Sequence, residues 1–287
     1  MTEAARSPAV AGQFYESDGA SLARQIESCF LSSRGPGELP QRRRSSTRSI
    51  RAAIVPHAGY EYSGPIAALA YARIAAEPPP STVLVLGVDH NAAGVGPALS
   101  DRPWRTPLGP TEVDHDLVRA LAHRPIAVDE SAHLREHSIE VQLPFLEYVL
   151  PHPRFVALQV PFDAFELLEK VANVVRAAVA GRDVLLVAST DFSHYIPAAS
   201  AERLDRLAID AILTRDARRL YDVVEEHGIT MCGIAPTTVL LSVLRDAPVG
   251  ARLLRWGHSG EVARMRDVVG YAALLLESSA GGATPLK

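Results

Sequence analysis

Three histidines closely follow short apolar runs of the chain. The run at 50–55 is followed by His57, the run at 82–87 by His90, and the run at 183–189 by His194. Imidazole is the commonest protein ligand for metals, and its pKa suits acid–base work near neutral pH. The repeated context therefore predicts a metal site, a proton-transfer site, or both.

Two further segments carry groups that could join this chemistry. In the charged segment 135–140, His137 and Glu140 would share one face of a helical turn, since they are three residues apart. We interpret the neighbouring Glu136 as part of an exposed charged turn.

Cys232 lies in a loop ahead of a helix that the proline at position 236 would open. A helix N-terminus lowers the pKa of a thiol, which would favour metal ligation or nucleophilic attack. Free cysteine is also commonly a small buried apolar residue, and composition alone favours that alternative. The other cysteine, Cys29, falls on the apolar stripe of a predicted helix and is interpreted as core.

The histidine motifs must be positioned by strands and helices that alternate along the chain. Apolar runs rich in β-branched residues predict strands buried on both faces, hence a largely parallel sheet. The predicted strands are 50–55, 82–87, 154–160, 183–189, 252–257 and 268–276. The predicted helices after the first are 66–76, 165–180, 202–213, 217–227 and 236–246. This alternation predicts a three-layer α/β sandwich with helices on both sides of the central sheet.

Ligands of such sheets bind at the carboxyl ends of the strands. Since three strands deliver a histidine to that edge, we expect the imidazoles to meet in one cleft. We predict a single α/β domain over 1–287, with a loop at 33–49 and a disordered tail at 278–287.

Composition limits the classes of function. The 287-residue chain has a formal charge of −4, which gives no general attraction to nucleic acid or anionic lipid. It has no apolar run long enough for a membrane span and no signal-peptide pattern, so we expect no nucleic-acid or membrane partner. With only two cysteines, a disulfide framework is not indicated, and the cytoplasm is the expected compartment.

Five motifs, in order along the chain, resemble those of the Memo-like proteins. They are the segments Arg6–Tyr15, Pro56–Pro65, Glu136–Phe145, Ser189–Tyr195 and Gly270-Tyr271. The resemblance covers nearly the whole chain. It implies a fold like that of the class III extradiol dioxygenases, and AMMECR-like and radical-SAM proteins as partners.

The resemblance also implies roles for individual residues. His57 and His90 would take the two histidine positions of the dioxygenase iron site, and Cys232 would replace its carboxylate. His194 would take the acid–base position. Two departures alter the surroundings: Val88-Asp89-His90-Asn91 replaces Pro-Ser-His-His, and Cys-Gly-Ile-Ala-Pro replaces Cys-Gly-Arg-His-Pro. Substrate and partner therefore do not transfer from the family.

The third ligand bears on the choice of metal. A two-histidine, one-carboxylate site leaves open positions on Fe(II), whereas a thiolate is softer and oxidisable. We expect Fe(II) first, copper second and zinc third.

The leading hypothesis is a non-haem metal-dependent oxidoreductase, similar to a dioxygenase, acting on a small aromatic or metal-chelating substrate. His194, oriented by Asp191, would move a proton, with His137 as a further catalytic group. The predicted substrate contacts are Tyr60, Glu140, Ser193 and Tyr195.

One alternative is a protein that binds metal or a ligand such as a phosphopeptide in the same cleft without turnover. Another is a cysteine-nucleophile hydrolase using Cys232, His194 and Asp191, although the sequence shows no oxyanion hole. The sequence is compatible with a homo-oligomer.

Overall fold

The computed structural model describes residues 5–42 and 45–278. Its strands, in chain order, are β1 Ile50–Val55, β2 Thr82–Gly87, β3 Ala98–Ser100, β4 Arg105–Thr106, β5 Gly109–Pro110, β6 Glu112–Val113, β7 Ala127–Val128, β8 Arg154–Gln159, β9 Val184–Ser189, β10 His194–Pro197, β11 Val249–His258 and β12 Asp267–Ser278. Its α-helices are α1 Gly19–Leu31, α2 Gly64–Ala75, α3 His115–Leu121, α4 Glu130–His133, α5 Leu143–Val149, α6 Phe165–Val179, α7 Ala198–Leu213, α8 Ala217–His227 and α9 Ile234–Val243.

One mixed sheet runs through the described part of the chain, with the strand order β10-β12-β1-β9-β2-β8-β3-β7. The four central strands, β1, β9, β2 and β8, pair in parallel, while β12 is antiparallel to β1. Every residue of β2 and β9 is buried, which explains their unbroken apolar character. The carboxyl ends of the four parallel strands consequently lie along one edge.

Each face of the sheet carries its own hydrophobic cluster. Along β1, Ala52 and Ile54 belong to the cluster under helices α6 to α9, whereas Ala53 and Val55 belong to the cluster under α1, α2 and α5. This alternation follows from the two-residue period of a strand. The predicted three-layer α/β sandwich is therefore confirmed.

The main predicted elements are present, with shifts at their ends. The strands at 50–55 and 82–87 and the helix at 217–227 have the predicted bounds. Helices α7 and α9 begin earlier than predicted, since Pro197 caps the first and Pro236 is accommodated in the first turn of the second. The two- and three-residue strands β3 to β7 were missed because such short segments show no periodicity. Of these, β4 and β5 pair only with each other.

In the segment predicted as a loop, 33–49, the described residues contain no helix or strand. In the predicted tail, Ser278 ends β12, and 279–287 lie outside the described residues. None of the described helices is long and apolar enough to cross a membrane.

A close backbone approach holds the Cys232 loop against the end of β9. A Cβ atom on Gly233 would lie 2.2 Å from Cβ of Thr190 and 2.7 Å from the carbonyl oxygen of Ser189. The Gly233 N–H also donates to Oγ1 of Thr190 at 3.0 Å. Only glycine therefore lets this loop pack so closely beside the strand end.

We predict that Gly233→Ala lowers the free energy of unfolding by about 1–3 kcal/mol, the usual cost of overpacking a tight site. Gly250→Ala is the matched control, because a Cβ there meets no atom within 4 Å. Urea denaturation of both variants would measure the difference. Equal stability of the two variants would contradict the close packing of this loop.

Candidate metal centre

His57, His90 and Cys232 come together at the carboxyl edge of the sheet. One potential ligand atom from each lies within 4.8 Å of the other two, and Sγ of Cys232 is 3.2 Å from Nε2 of His57. His57 follows β1, His90 follows β2, and Cys232 precedes α9. Two imidazoles and a thiol are a donor set suited to a transition metal.

A chain of buried hydrogen bonds fixes the tautomer of His57. The Ser189 hydroxyl donates to the carbonyl of Ser138 at 2.7 Å and accepts from Nε2 of Gln142 at 2.8 Å. Gln142 is oriented in turn, because its Nε2 donates to the carbonyl of Pro56 and its Oε1 accepts from the Tyr71 hydroxyl. Ser189 has no second proton, so Nδ1 of His57, 3.0 Å away, must be the donor. Nε2 of His57 therefore directs its lone pair towards Cys232.

The tautomer of His90 is fixed by Glu136. Nδ1 of His90 is 2.9 Å from Oε1 of Glu136, and its backbone N–H donates to Oε2 at 2.8 Å. Burial opposes charge on both groups, yet their hydrogen bond and mutual attraction raise the pKa of His90 and hold the pKa of Glu136 well below its usual range. A carboxylate can only accept, so Nδ1 carries the proton and Nε2 is left as the ligand atom.

The expectation that Glu136 belongs to an exposed turn is wrong. Its side chain is fully buried and also accepts from the backbone N–H groups of His137 and Ser138. The helical turn expected to carry both His137 and Glu140 is a 3₁₀ turn that begins only at Glu140 and ends at Gln142. Its charged neighbours in sequence gave no sign of this role: the carboxylate accepts five N–H groups, counting both from His90 and the Asn91 amide at 3.4 Å.

His137 lies beside both histidine ligand candidates. Its ring stacks on His90 with centroids 4.6 Å apart and meets His57 edge-on at 5.4 Å. Phe14 contacts the same ring at 4.8 Å. Burial, opposed by Glu136 and reinforced by His90, lowers the pKa of His137 to about 4. Together with His90 and Glu136, His137 forms a second group of potential metal ligands.

In the absence of a metal, burial keeps the Cys232 thiol protonated. Desolvation and the neighbouring Asp191 raise the pKa of Cys232 far above its usual value, although the Asp191 N–H donates to Sγ at 3.3 Å. The expected lowering by the helix N-terminus is therefore outweighed. A divalent cation bound to sulfur would displace the thiol proton, since the thiolate is the ligand form.

Asp191 and His194 lie next to this cluster, but they are oriented differently from expectation. Asp191 accepts the backbone N–H of His57 at 2.8 Å, and burial raises its pKa to about 6 despite that hydrogen bond and the neighbouring His194. Nδ1 of His194 instead lies 2.8 Å from the carbonyl oxygen of Thr230. That carbonyl, rather than Asp191, fixes the tautomer of His194 and leaves its Nε2 free to accept a proton.

The four predicted substrate contacts have different surroundings. The Tyr60 hydroxyl is buried and donates to the carbonyl of Val141, and the Ser193 hydroxyl donates to Asp205. Glu140 accepts from the Tyr15 hydroxyl and from Nη1 of Arg6. Only Tyr195 presents its ring to solvent, with 78% exposure. Substrate contact by these residues stays a prediction.

The N-terminal segment packs against the loop that contains Glu136 and Glu140. Nη1 of Arg6 donates to Glu140 at 2.6 Å and Nη2 donates to the carbonyl of Glu136 at 2.6 Å. The Glu140 carboxylate also accepts the backbone N–H groups of Ala9 and Val10. A buried ion pair thus joins the first sequence motif to the loop that supports His90.

The fold and the cluster together define an α/β protein with a candidate His₂Cys metal centre at the carboxyl edge of its sheet. The model of the family described as Memo-like protein matches residues 6–275. A MEMO1 family protein of Methanothermobacter thermautotrophicus is 42% identical over 278 residues, which cover 94% of this chain and 99% of that protein. Another from Methanopyrus kandleri is 39% identical and covers 94% of this chain and 98% of its own length. The chain therefore belongs to the Memo-like family, as the motifs predicted.

We predict that His137 in the metal-free protein titrates near pH 4, because burial disfavours its charged form. Its folded pKa is below the unfolded value of 6.5, so the stability it contributes is complete above pH 6.5 and is lost as the pH falls towards 4. Ring chemical shifts in an NMR titration, assigned with His137→Asn, would measure the midpoint. A midpoint above 6.5 would show that the ring is not held in this buried stack.

Proposed function

We propose that this Memo-like protein binds one transition metal ion per chain through His57, His90 and Cys232. The observation that carries the proposal is the convergence of the three donors, with both imidazoles held as the tautomer that presents Nε2. Fixed tautomers of this kind are a regular feature of histidines that ligate metals. Fe(II) is the proposed ion, with copper second and zinc third.

We further propose that the centre serves redox chemistry, namely oxidation by dioxygen of a small aromatic or metal-chelating molecule. Bound Fe(II) would supply open coordination positions for substrate and dioxygen. Within the chain, His194 accepts the substrate proton at Nε2, since the Thr230 carbonyl occupies Nδ1. Asp191 holds the His57 backbone, and the neutral His137 ring lines the cleft beside both ligands.

A binding function without turnover is the second candidate. It is favoured because Tyr60 and Ser193 already donate their hydroxyl protons within the protein, and the Glu140 carboxylate already accepts four hydrogen bonds. Neither hydroxyl therefore has a proton left to donate to a substrate. The cysteine-nucleophile alternative has no such support. Burial raises the pKa of the Cys232 thiol, whereas a nucleophilic cysteine needs a lowered pKa.

The proposed thiolate ligand also bears on the compartment. A thiolate is readily oxidised to sulfenic acid or a disulfide, and cytosolic conditions keep thiols reduced. We therefore propose that the protein works in the cytoplasm.

We predict that the protein, loaded anaerobically with Fe(II), holds about one metal ion per chain, as expected for one site. His57→Ala, His90→Ala and Cys232→Ser should each lose the metal, while His194→Ala should retain it. Matched controls are Cys29→Ala, a buried cysteine that belongs to neither group of potential metal ligands, and His227→Ala, an exposed histidine. Elemental analysis measures the content. Full metal content in Cys232→Ser, or an empty site in His194→Ala, would require a different ligand set.

We predict that the Fe(II)-loaded protein consumes dioxygen in the presence of catechol, the probe substrate, and that exhaustive chelation abolishes this consumption. His194→Ala should retain iron and lose about 10²–10⁴-fold in rate, the usual contribution of a general base. An oxygen electrode with parallel elemental analysis measures both quantities. Stoichiometric metal without oxygen consumption would favour the binding function. Oxygen consumption that survives exhaustive chelation would contradict the metal-dependent oxidation.

A further inference from the structure

Of the two imidazole ligand candidates, only His90 has its ring nitrogen hydrogen-bonded to a buried carboxylate. Glu136 is fully buried, and its two oxygens receive N–H groups from His90, His137 and Ser138, with Asn91 at 3.4 Å. We propose that Glu136 is a positioning residue, which holds His90 in place for the metal and strengthens its donation. This inference rests on the proposed metal site.

The hydrogen bonds around Glu136 require a carboxylate rather than any other acceptor. Oε1 accepts from Nδ1 of His90 and from the backbone of His137 and Ser138, while Oε2 accepts from the backbone of His90. An amide in this place would direct an NH₂ group at a backbone N–H, whichever way it is turned. Glu136→Gln therefore disturbs the support of His90 without removing any of the three proposed ligands, His57, His90 and Cys232.

The partner of His57 is of a different kind. Nδ1 of His57 donates to the neutral hydroxyl of Ser189, whereas Nδ1 of His90 donates to a charged carboxylate. A carboxylate partner raises the basicity of a ligating imidazole, and losing such a partner costs about 10–100-fold in metal affinity. His90 is accordingly the more strongly donating imidazole of the pair.

The backbone of Glu136 is itself clamped. Nη2 of Arg6 donates to its carbonyl at 2.6 Å, and its N–H donates to the carbonyl of His133 at 3.3 Å. The carboxylate thus has little freedom to follow a displaced imidazole. The orientation of His90 is therefore set by the protein rather than by the metal alone.

Glu140 provides a matched control for a purely structural role. It is also a buried carboxylate surrounded by donors, namely Arg6, Tyr15, Ala9 and Val10, and it lies four positions further along the same loop. None of its donors is a ligand candidate. Glu140→Gln should destabilise the fold and weaken the hold on Arg6, while leaving the Glu136 carboxylate as the partner of Nδ1 of His90.

The experiment titrates Co(II) alone, an ion with visible absorption bands, into the full-length wild type, Glu136→Gln, Glu140→Gln and His90→Ala. For Glu136→Gln we expect about 10–100-fold weaker Co(II) binding and shifted absorption bands. Glu140→Gln should bind with near wild-type affinity and an unchanged spectrum, although its urea midpoint falls. His90→Ala is the reference for a site from which one proposed ligand has been removed.

The outcomes separate the inference from the proposed function. If wild type and His90→Ala bind Co(II) equally, the proposed metal site is wrong. If wild type binds and Glu136→Gln matches it in affinity and spectrum, the positioning role is wrong. If Glu136→Gln and Glu140→Gln both bind Co(II) more weakly, each to the extent that its stability has fallen, then Glu136 only stabilises the fold. That result would overturn the inference.

Discussion

The parallel pairing of β1 with β9 determines where His57 lies relative to Ser189 and Asp191, the residues that orient it. Their register places Val55 opposite Ser189, and the Thr190 N–H extends the pairing by donating to the Val55 carbonyl. The two strands therefore end together. A shift of one residue would turn Ser189 to the other face of the sheet and remove the hydroxyl that fixes His57.

Much of this arrangement follows from local sequence. The unbroken apolar runs identify the central strands because a strand buried on both faces tolerates no polar alternation. The loops after β1 and β2 could be predicted to carry the histidine ligand candidates, since parallel strands end at the same edge. The placement of Cys232 depended on the family resemblance, because composition alone favours a buried apolar role for it.

Other features could not be predicted from the sequence because they arise from contacts between distant segments. Glu136 stands between an arginine and a histidine, the usual surroundings of an exposed turn, and only its meeting with the loop after β2 shows that it is buried. The carbonyl that orients His194 belongs to the backbone of Thr230, and a backbone carbonyl has no signature in sequence. The thiol of Cys232 shows the same limit, since the depth of burial, rather than the nearby helix, determines its pKa.

The strand order has a consequence for when the centre can exist. His57 and Cys232 are 175 positions apart, and β9 must be inserted between β1 and β2 before their loops face one another. During synthesis the early histidines leave the ribosome long before the thiol does. A nascent chain therefore offers isolated imidazoles, and the full donor set appears only after translation has passed Cys232 and the sheet has closed around β9.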